Sequence, residues 1–263
     1  MSVVRVGVHG ACGRMGRRVV AAVHAHPDVA LAAALESSHS KELGNDIGEV
    51  CGLGDVGVQV SAEMPKDLDA VIDFSVPEAS LALAERCAEQ GTALLVATTG
   101  FSAEDRERLM TYAERIPLMV AANCSLVVNV LMKLAADTAK IFRGRDFDAE
   151  IIERHHRYKV DAPSGTALKL AEIVEEGMGL TERVYGREGI TGERPRNQLG
   201  VHALRTGDNV GEHTVVFSTL GETLELVHKG SSRDSYVSGA VAAAAYLAGK
   251  APGEYGMADV LGF

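Results

Sequence analysis

The chain has 263 residues, enough for one large domain or two modest ones, and 46% of them are hydrophobic, enough to bury a full core. Its formal net charge of −10 argues against nucleic acid or an anionic membrane as partner, since both need a basic surface, yet it leaves room for a small anionic substrate held by local charge. The four cysteines, Cys12, Cys51, Cys87 and Cys124, form no CxxC pair, so neither a disulfide framework nor a zinc site reads from them, and reduced thiols are expected.

Residues 3–9 (VVRVGVH) are rich in Val and end at Gly10, which predicts a buried strand. With no leader ahead of it and no apolar run long enough to span a bilayer, a cytoplasmic protein is expected. A helix is expected over about Met15 to Ala25, stopped by Pro27, then a strand over residues 29–35 (VALAAAL) ending on Glu36. Residues 37–56 are polar and glycine-rich and read as a long loop, either a flap or a surface excursion. Alternation then resumes: strand Ala70 to Phe74, helix Glu78 to Gln90, strand Ala93 to Ala97, helix Ala103 to Arg115, strand Leu118 to Ala122. Apolar strands alternating with amphipathic helices predict βαβ units and a parallel sheet.

After about residue 125 the pattern changes. A helix near Val127 to Phe142 leads to an alternating strand, Phe147 to His156, and a helix near Thr166 to Glu176 precedes a charged, Gly- and Pro-containing loop over 181–198. The runs Val201 to Arg205, Thr214 to Leu220 and Thr223 to His228 read as antiparallel strands, with Gly221-Glu222 as the tight turn between the last two. A final helix, near Ser235 to Leu247, is expected to return to the first domain. The expected fold is α/β. A Rossmann-type dinucleotide-binding domain (1–125 plus 235–263) carries a second α+β substrate and oligomerisation domain (126–234) on a mixed open sheet.

Residues 7–16 read GVHGACGRMG, with Gly10, Gly13 and Gly16 spaced by three. The usual dinucleotide fingerprint is GxGxxG between a strand and a helix; here the first glycine is displaced by one position. The physics still holds: glycines permit a tight turn and close approach to a pyrophosphate, and the N–H groups at the helix start favour an anion. Glu36 lies twenty residues after Gly16, where a carboxylate accepts from ribose hydroxyls. Arg14, Arg17 and Arg18 crowd the first turns of the helix, where the macrodipole disfavours cations. That crowding is accounted for if at least one of them faces a bound phosphate. The alternative is a structural glycine turn with solvated arginines. Asp73-Phe74-Ser75, Ala97-Thr98-Thr99-Gly100 and Ala121-Ala122-Asn123 end predicted parallel strands. Such carboxyl ends line a ligand crevice, and their small and hydroxyl side chains would let a nicotinamide ribose approach.

Residues 150–167 read EIIERHHRYKVDAPSGTA, the densest chemistry in the chain. His155 and His156 are adjacent on a strand and point to opposite faces, and Lys159 follows within reach of one of them. Pro163-Ser164-Gly165-Thr166 opens a helix and offers N–H groups and hydroxyls to a carboxylate. A metal site built from Glu150, Glu153 and the histidines is the competing reading. Strand alternation pairs Glu153 with His155 and Glu150 with His156, so neither face holds a tight trio, HExxH is absent, and no metal is expected.

The sequence resembles the 4-hydroxy-tetrahydrodipicolinate reductase (dihydrodipicolinate reductase) family over essentially its whole length. The resemblance rests on GxxGRMG at 10–16, Glu36, DFS-P-E at 73–78, ATTGF at 97–101 and AAN-S at 121–125. It also rests on TGER at 191–194, GEHT at 211–214 and HK-x-SSR at 228–233, and above all on E-x-HH-x-x-K-x-DAPSGTA from Glu153 to Ala167. It implies a cytoplasmic enzyme of lysine and diaminopimelate biosynthesis, using NADH or NADPH to reduce a small cyclic dicarboxylate with loss of water, and usually a homotetramer built by the second-domain sheets. His155 and Lys159 match the proton-transfer pair. His156, Ser164, Gly165 and Thr166 match the substrate-binding stretch. Gly10, Ala11, Cys12, Gly13, Arg14, Met15, Glu36, Ala97, Thr98, Thr99, Ala121, Ala122, Asn123 and Cys124 match cofactor contacts.

The sequence departs from the family at four places. Ser37 stands where members favouring NADPH often carry Arg, so NADH is expected to serve at least as well as NADPH. Ala97 replaces a common Gly, and Cys124 and Val127 stand where Phe and Gly are usual, which touches the nicotinamide side of the pocket. Two rival readings are a reductase for a related imine or keto acid and a non-catalytic NAD-sensing protein. The intact His155, His156 and Lys159 argue against the second.

Overall fold

A computed structural model describes residues 3–263. The chain forms two compact units, Met1–Leu126 with Asp234–Phe263, and Val127–Arg233.

The first unit opens with β1 (Val4–His9), α1 (Gly16–His24) and β2 (Val29–Leu35). Residues 37–56 are not a plain loop. They hold α2 (Ile47–Cys51), followed by β3 (Val60–Ser61). Asp46 organises them, its carboxylate accepting from the backbone N–H groups of Gly48 (2.7 Å), Val56 (3.1 Å) and Val58 (3.0 Å). An Asp carboxylate that takes up several backbone donors can order a polar segment, and fully buried Ile47, with Val50, Cys51, Val56 and Val58, pins it to the first unit's core; a single helical turn is too short for hydrophobic periodicity to reveal. Next come β4 (Ala70–Asp73), α3 (Pro77–Gln90), β5 (Ala93–Val96), α4 (Ala103–Thr111) and β6 (Pro117–Val120). Gly91, at φ +71°, ends α3 in the left-handed conformation that glycine adopts without a Cβ clash.

The second unit contains α5 (Leu126–Phe142), whose first residue belongs to the first unit, then β7 (Asp148–His155), α6 (Gly165–Met178), β8 (Glu182–Val184), β9 (Gln198–Arg205), β10 (Gly211–Thr219) and β11 (Glu222–Gly230). Its five-stranded sheet runs β11-β10-β7-β9-β8. The run that includes Val201 to Arg205 is not antiparallel to its neighbours: β9 pairs parallel with both β7 and β8. Alternation along a strand shows its faces but not its direction. Direction follows here from the connections: α6 carries the chain from β7 to β8, and residues 185–197 carry it back from the end of β8 to the start of β9. β10 pairs antiparallel with β7 and β11. The β10–β11 turn is Leu220-Gly221 rather than Gly221-Glu222, because Glu222 already pairs with Thr219 and Gly221 takes φ +92°. One face of the sheet (Ala149, Ile151, Leu199, Val201, Val215, Phe217) packs on Leu131, Ala135 and Ala139 of α5 and on Leu170 and Val174 of α6.

The chain then returns to the first unit through α7 (Asp234–Leu247), β12 (Gly253–Tyr255) and α8 (Met257–Leu261). The last two elements are too short for periodicity to expose. The seven-stranded sheet is parallel throughout, in the order β12-β6-β5-β4-β1-β2-β3. Strand order reverses between β1 and β4, so their carboxyl ends form a topological switch point, where doubly wound sheets bind ligands.

Candidate active site

The glycine loop sits at that switch point. Gly10 has φ +72°, and a Cβ there would stand 2.5 Å from the Phe74 carbonyl oxygen; at Gly16 it would stand 2.0 Å from the Gly10 oxygen. Both positions therefore accept only glycine. Helix α1 starts with no side-chain cap and no acid in its first turn, leaving its positive end for an anion. Glu36 lies against the loop, accepting from the Cys12 N–H at 2.8 Å through Oε1 and from the Ser37 N–H at 3.2 Å through Oε2. Tight turn, uncapped helix start and acid at the end of β2 together fit the pyrophosphate and ribose of a dinucleotide.

Two of the three arginines have partners within the protein. Arg17 donates to the Cys12 and Val50 carbonyls, both at 2.8 Å, and Arg18 pairs with Asp234 at 2.6 Å. Of the three, Arg14 remains as the cation for a phosphate. Burial, reinforced by Glu36, pushes the Cys12 thiol up to about 12, so this loop cysteine stays protonated and contributes backbone rather than thiolate chemistry.

The strand ends are tied together by side-chain hydrogen bonds. Asp73, wholly buried at the end of β4, accepts from Ser75 Oγ (2.6 Å), Ser80 Oγ (2.5 Å) and Thr98 Oγ1 (2.8 Å), and lies 2.7 Å from His9 Nδ1. The Thr98 hydroxyl also accepts from the Ser75 N–H at 2.9 Å. The Ser75 and Thr98 hydroxyls thus point into a carboxylate network that fixes the loops after β1, β4 and β5. His9 at the heart of this network carried no sequence signal. Ala97 and Cys124 are buried, and burial pushes the Cys124 thiol up to about 12. The Asn123 side chain accepts from the Ser125 N–H at 2.9 Å.

In the second unit, β7 buries Ala149, Ile151, Glu153 and His155 on one face. Glu153 has no solvent exposure. Its Oε2 accepts from His155 Nδ1 at 2.5 Å and from Arg205 at 2.9 Å, and its Oε1 from Arg205 at 2.8 Å and the Ser164 N–H at 3.0 Å. Burial alone would raise the Glu153 pKa, but the hydrogen bonds from His155 and Arg205 bring it down to about 2. His213 on β10 faces His155 edge-on at 5.3 Å between ring centroids, and His228 on β11 stacks on His213 at 5.7 Å. Burial, with the neighbouring histidines, drives His213 down to about 3, so it is neutral at ordinary pH.

Ser164 caps α6, its hydroxyl accepting from the Ala167 N–H at 3.2 Å and lying 3.3 Å from His213 Nε2. That hydroxyl helps shape the helix start. A Cβ on Gly165 would meet nothing within 4 Å, so the protein's own packing does not demand glycine there. The first turn of α6 holds no acid. Lys159 donates to Asp161 at 2.7 Å. His156 lies past the end of β7, with Nε2 3.4 Å from an Arg233 guanidinium nitrogen. Glu150 is not beside it. Glu150 is held on β7 by Arg187 (2.8 Å), Arg194 (3.1 Å) and His202 (2.7 Å). Arg205, His213 and His228 belong to the site, yet only the GEHT and HK stretches hinted at two of them.

A parallel sheet with a glycine-loop switch point, joined to a unit bearing a buried Glu–His pair beside an uncrowded helix start, defines a nicotinamide-dinucleotide-dependent reductase. The family model described as "Dihydrodipicolinate reductase, N-terminus" matches residues 4–124, and that described as "Dihydrodipicolinate reductase, C-terminus" matches residues 127–261. The chain belongs to the dihydrodipicolinate reductase family. A relative named 4-hydroxy-tetrahydrodipicolinate reductase, from Hahella chejuensis, is 49% identical over 98% of both chains. One of the same name from Rhodopirellula baltica is 48% identical, covering 98% of this chain and 96% of that one. Among solved structures, a dipicolinate-bound dihydrodipicolinate reductase from Paenisporosarcina sp. TG-14 shares the fold with TM-score 0.78 at 24% identity, covering 97% of this chain and 98% of that one.

Proposed function

We propose that this enzyme reduces 4-hydroxy-tetrahydrodipicolinate to tetrahydrodipicolinate with loss of water, in lysine and diaminopimelate biosynthesis. The observation that carries the reading is the Glu153–His155 pair lying one hydrogen bond from the start of α6, in a chain nearly half identical to reductases of that name. The bound reduced nicotinamide supplies a hydride to the unsaturated ring. The chain's own residues do the rest. Backbone N–H groups of Gly165 and Thr166, with the Thr166 hydroxyl, hold one substrate carboxylate at the positive end of α6. His156 and the neighbouring Arg233 receive the other. His155 and Lys159 move the proton that must accompany hydride addition, and Asp161 keeps the Lys159 ammonium in place.

In the first unit, Gly10 to Met15 cradle the pyrophosphate, Glu36 takes the ribose diol, and Ala97 to Thr99 and Ala121 to Cys124 supply backbone around the nicotinamide. Glu36 repels a 2′-phosphate and Ser37 brings no cation to offset it, so NADH serves at least as well as NADPH. The test is a steady-state assay on enzymatically generated substrate with NADH and NADPH side by side. Turnover with kcat/KM for NADH equal to or above that for NADPH supports the reading. No turnover with this substrate sinks the activity, and a tenfold preference for NADPH sinks the cofactor assignment. The enzyme works in the cytoplasm as a homotetramer.

A further inference from the structure

Glu153 and His155 occupy alternate positions of β7, so their side chains leave the same buried face. A carboxylate removed from water is destabilising unless its lone pairs are used. Here all four are used, by the His155 imidazole, both arms of the Arg205 guanidinium and the Ser164 backbone N–H. Arg205 reaches it because β9 lies beside β7 with Arg205 in register with His155. An ionised carboxylate can only accept, so the proton between it and His155 sits on Nδ1.

Other groups around the imidazole do not compete for it. His213 from β10 meets it edge-on and is neutral, and His228 from β11 stands behind His213. Lys159 and Asp161, from the loop after β7, are paired with each other. Among the described residues Glu153 is the one carboxylate bonded to His155. The same Glu153 also grips the backbone immediately ahead of α6. A single side chain thus sets both the ring orientation and the start of the helix proposed to hold a substrate carboxylate.

We infer that Glu153, clamped by Arg205 and the Ser164 amide, is a positioning residue that fixes His155 as the Nδ1–H tautomer and leaves Nε2 as the nitrogen that exchanges a proton with substrate. This rests on the assignment of His155 to proton transfer. Glu153→Gln tests it with little change in shape. At the Oε1 position the amide NH2 would face two groups that can only donate, the Ser164 N–H and one Arg205 arm; at the Oε2 position it faces one, the other Arg205 arm, beside a ring nitrogen that can accept. It therefore turns toward His155, whose Nδ1 becomes the acceptor and whose proton moves to Nε2.

Imidazole-15N NMR of the whole enzyme, with the His155 signals assigned by their loss in His155→Ala, reads the tautomer directly. Wild type shows Nδ1 protonated and Nε2 bare, and Glu153→Gln reverses this. kcat falls roughly 10–100-fold, the range for outer partners that orient a histidine, while NADH affinity is unchanged. A purely structural Glu153 would leave the tautomer alone. Wild type in the Nε2–H form overturns the inference even if the variant does not fold. So does wild-type kcat in Glu153→Gln while His155→Ala has lost activity, and in that case the role of His155 survives. Full kcat in His155→Ala overturns both.

Discussion

At the scale of single residues, the second unit gathers its ionisable groups with opposed demands. Glu153 stays charged without any exposure, and His213 stays neutral at the register position directly opposite it on the adjacent strand. Lys159 and His155 are the groups proposed to move a proton. Replacing either by alanine lowers kcat about a hundredfold or more, the usual range for acid–base groups, with little effect on NADH affinity. Stopped-flow single turnovers with each variant check this, and a loss confined to KM would make the two residues binding groups instead. Much of this was legible in the sequence. The alternation of β7 already placed Glu153 with His155, and the dense stretch from Glu153 to Ala167 marked the centre of the chemistry. Arg205, His213 and His228 were not legible as site residues, because they arrive from strands about 50 to 75 positions away. A periodic pattern shows which face a residue takes but not which strand will lie alongside it.

At the scale of elements, the start of α6 is the proposed anchor for one substrate carboxylate. Thr166→Val keeps the size but removes one hydrogen bond to a charged group, about 1.5–3 kcal/mol. KM for the dicarboxylate therefore rises about tenfold or more with kcat less affected. Pyridine-2,6-dicarboxylate inhibits, and its mono-acid inhibits far less; equal inhibition by the two would rule out two anchoring points. On the exposed side of β7, Glu150 plays a stabilising part. Burial opposes its charge, but Arg187, His202 and Arg194 hold its carboxyl down at about 2, against 4.5 ordinarily. Gly200 makes room for it, since a Cβ there would stand 1.8 Å from Glu150 Oε2. A carboxyl depressed by folding contributes fully above its unfolded pKa and loses that contribution as pH falls toward its folded one. The window here is about pH 4.5 down to 2. Thermal melts should show wild type losing more stability between pH 6 and pH 3 than Glu150→Gln, and parallel losses would discount this carboxylate. The direction of β9 escaped the sequence for a related reason: the connection over residues 185–197 sets it, and nothing within the strand records it.

At the scale of the whole molecule, the five-stranded sheet has one face covered by helices and another that is not. Ile152, Leu204 and Val227, all substantially exposed, lie on strands β7, β9 and β11 at positions alternating with the helix-covered ones. Apolar sheet faces and open edges of this kind invite pairing with another copy. Light scattering at micromolar concentration should give a tetramer mass, and Ile152→Asp combined with Val227→Asp should shift it downward. A monomer mass for the wild type would refute the assembly. The alternation of strands and helices in the first 125 residues and the change of pattern after it were both readable, since each strand there is a short apolar run. The folded segment around Asp46 was not, because it is one short helical turn, held by the Asp46 hydrogen bonds and by buried Ile47, with no run long enough to show a period.

The returning helix α7 fits the first unit so closely that a Cβ on Gly239 would stand 1.8 Å from the Cys124 carbonyl oxygen, and β12 adds the outermost strand beside β6. Both are made after every strand of the second sheet. The sheet that begins the chain is therefore still missing a covering helix and a strand after more than two hundred residues have emerged, whereas every strand of the second sheet is already available. A nascent chain stalled before Asp234 exposes the apolar surface that Val237, Ala240, Val241 and Ala244 will later cover. During synthesis the first-made half is thus the half that most needs a chaperone.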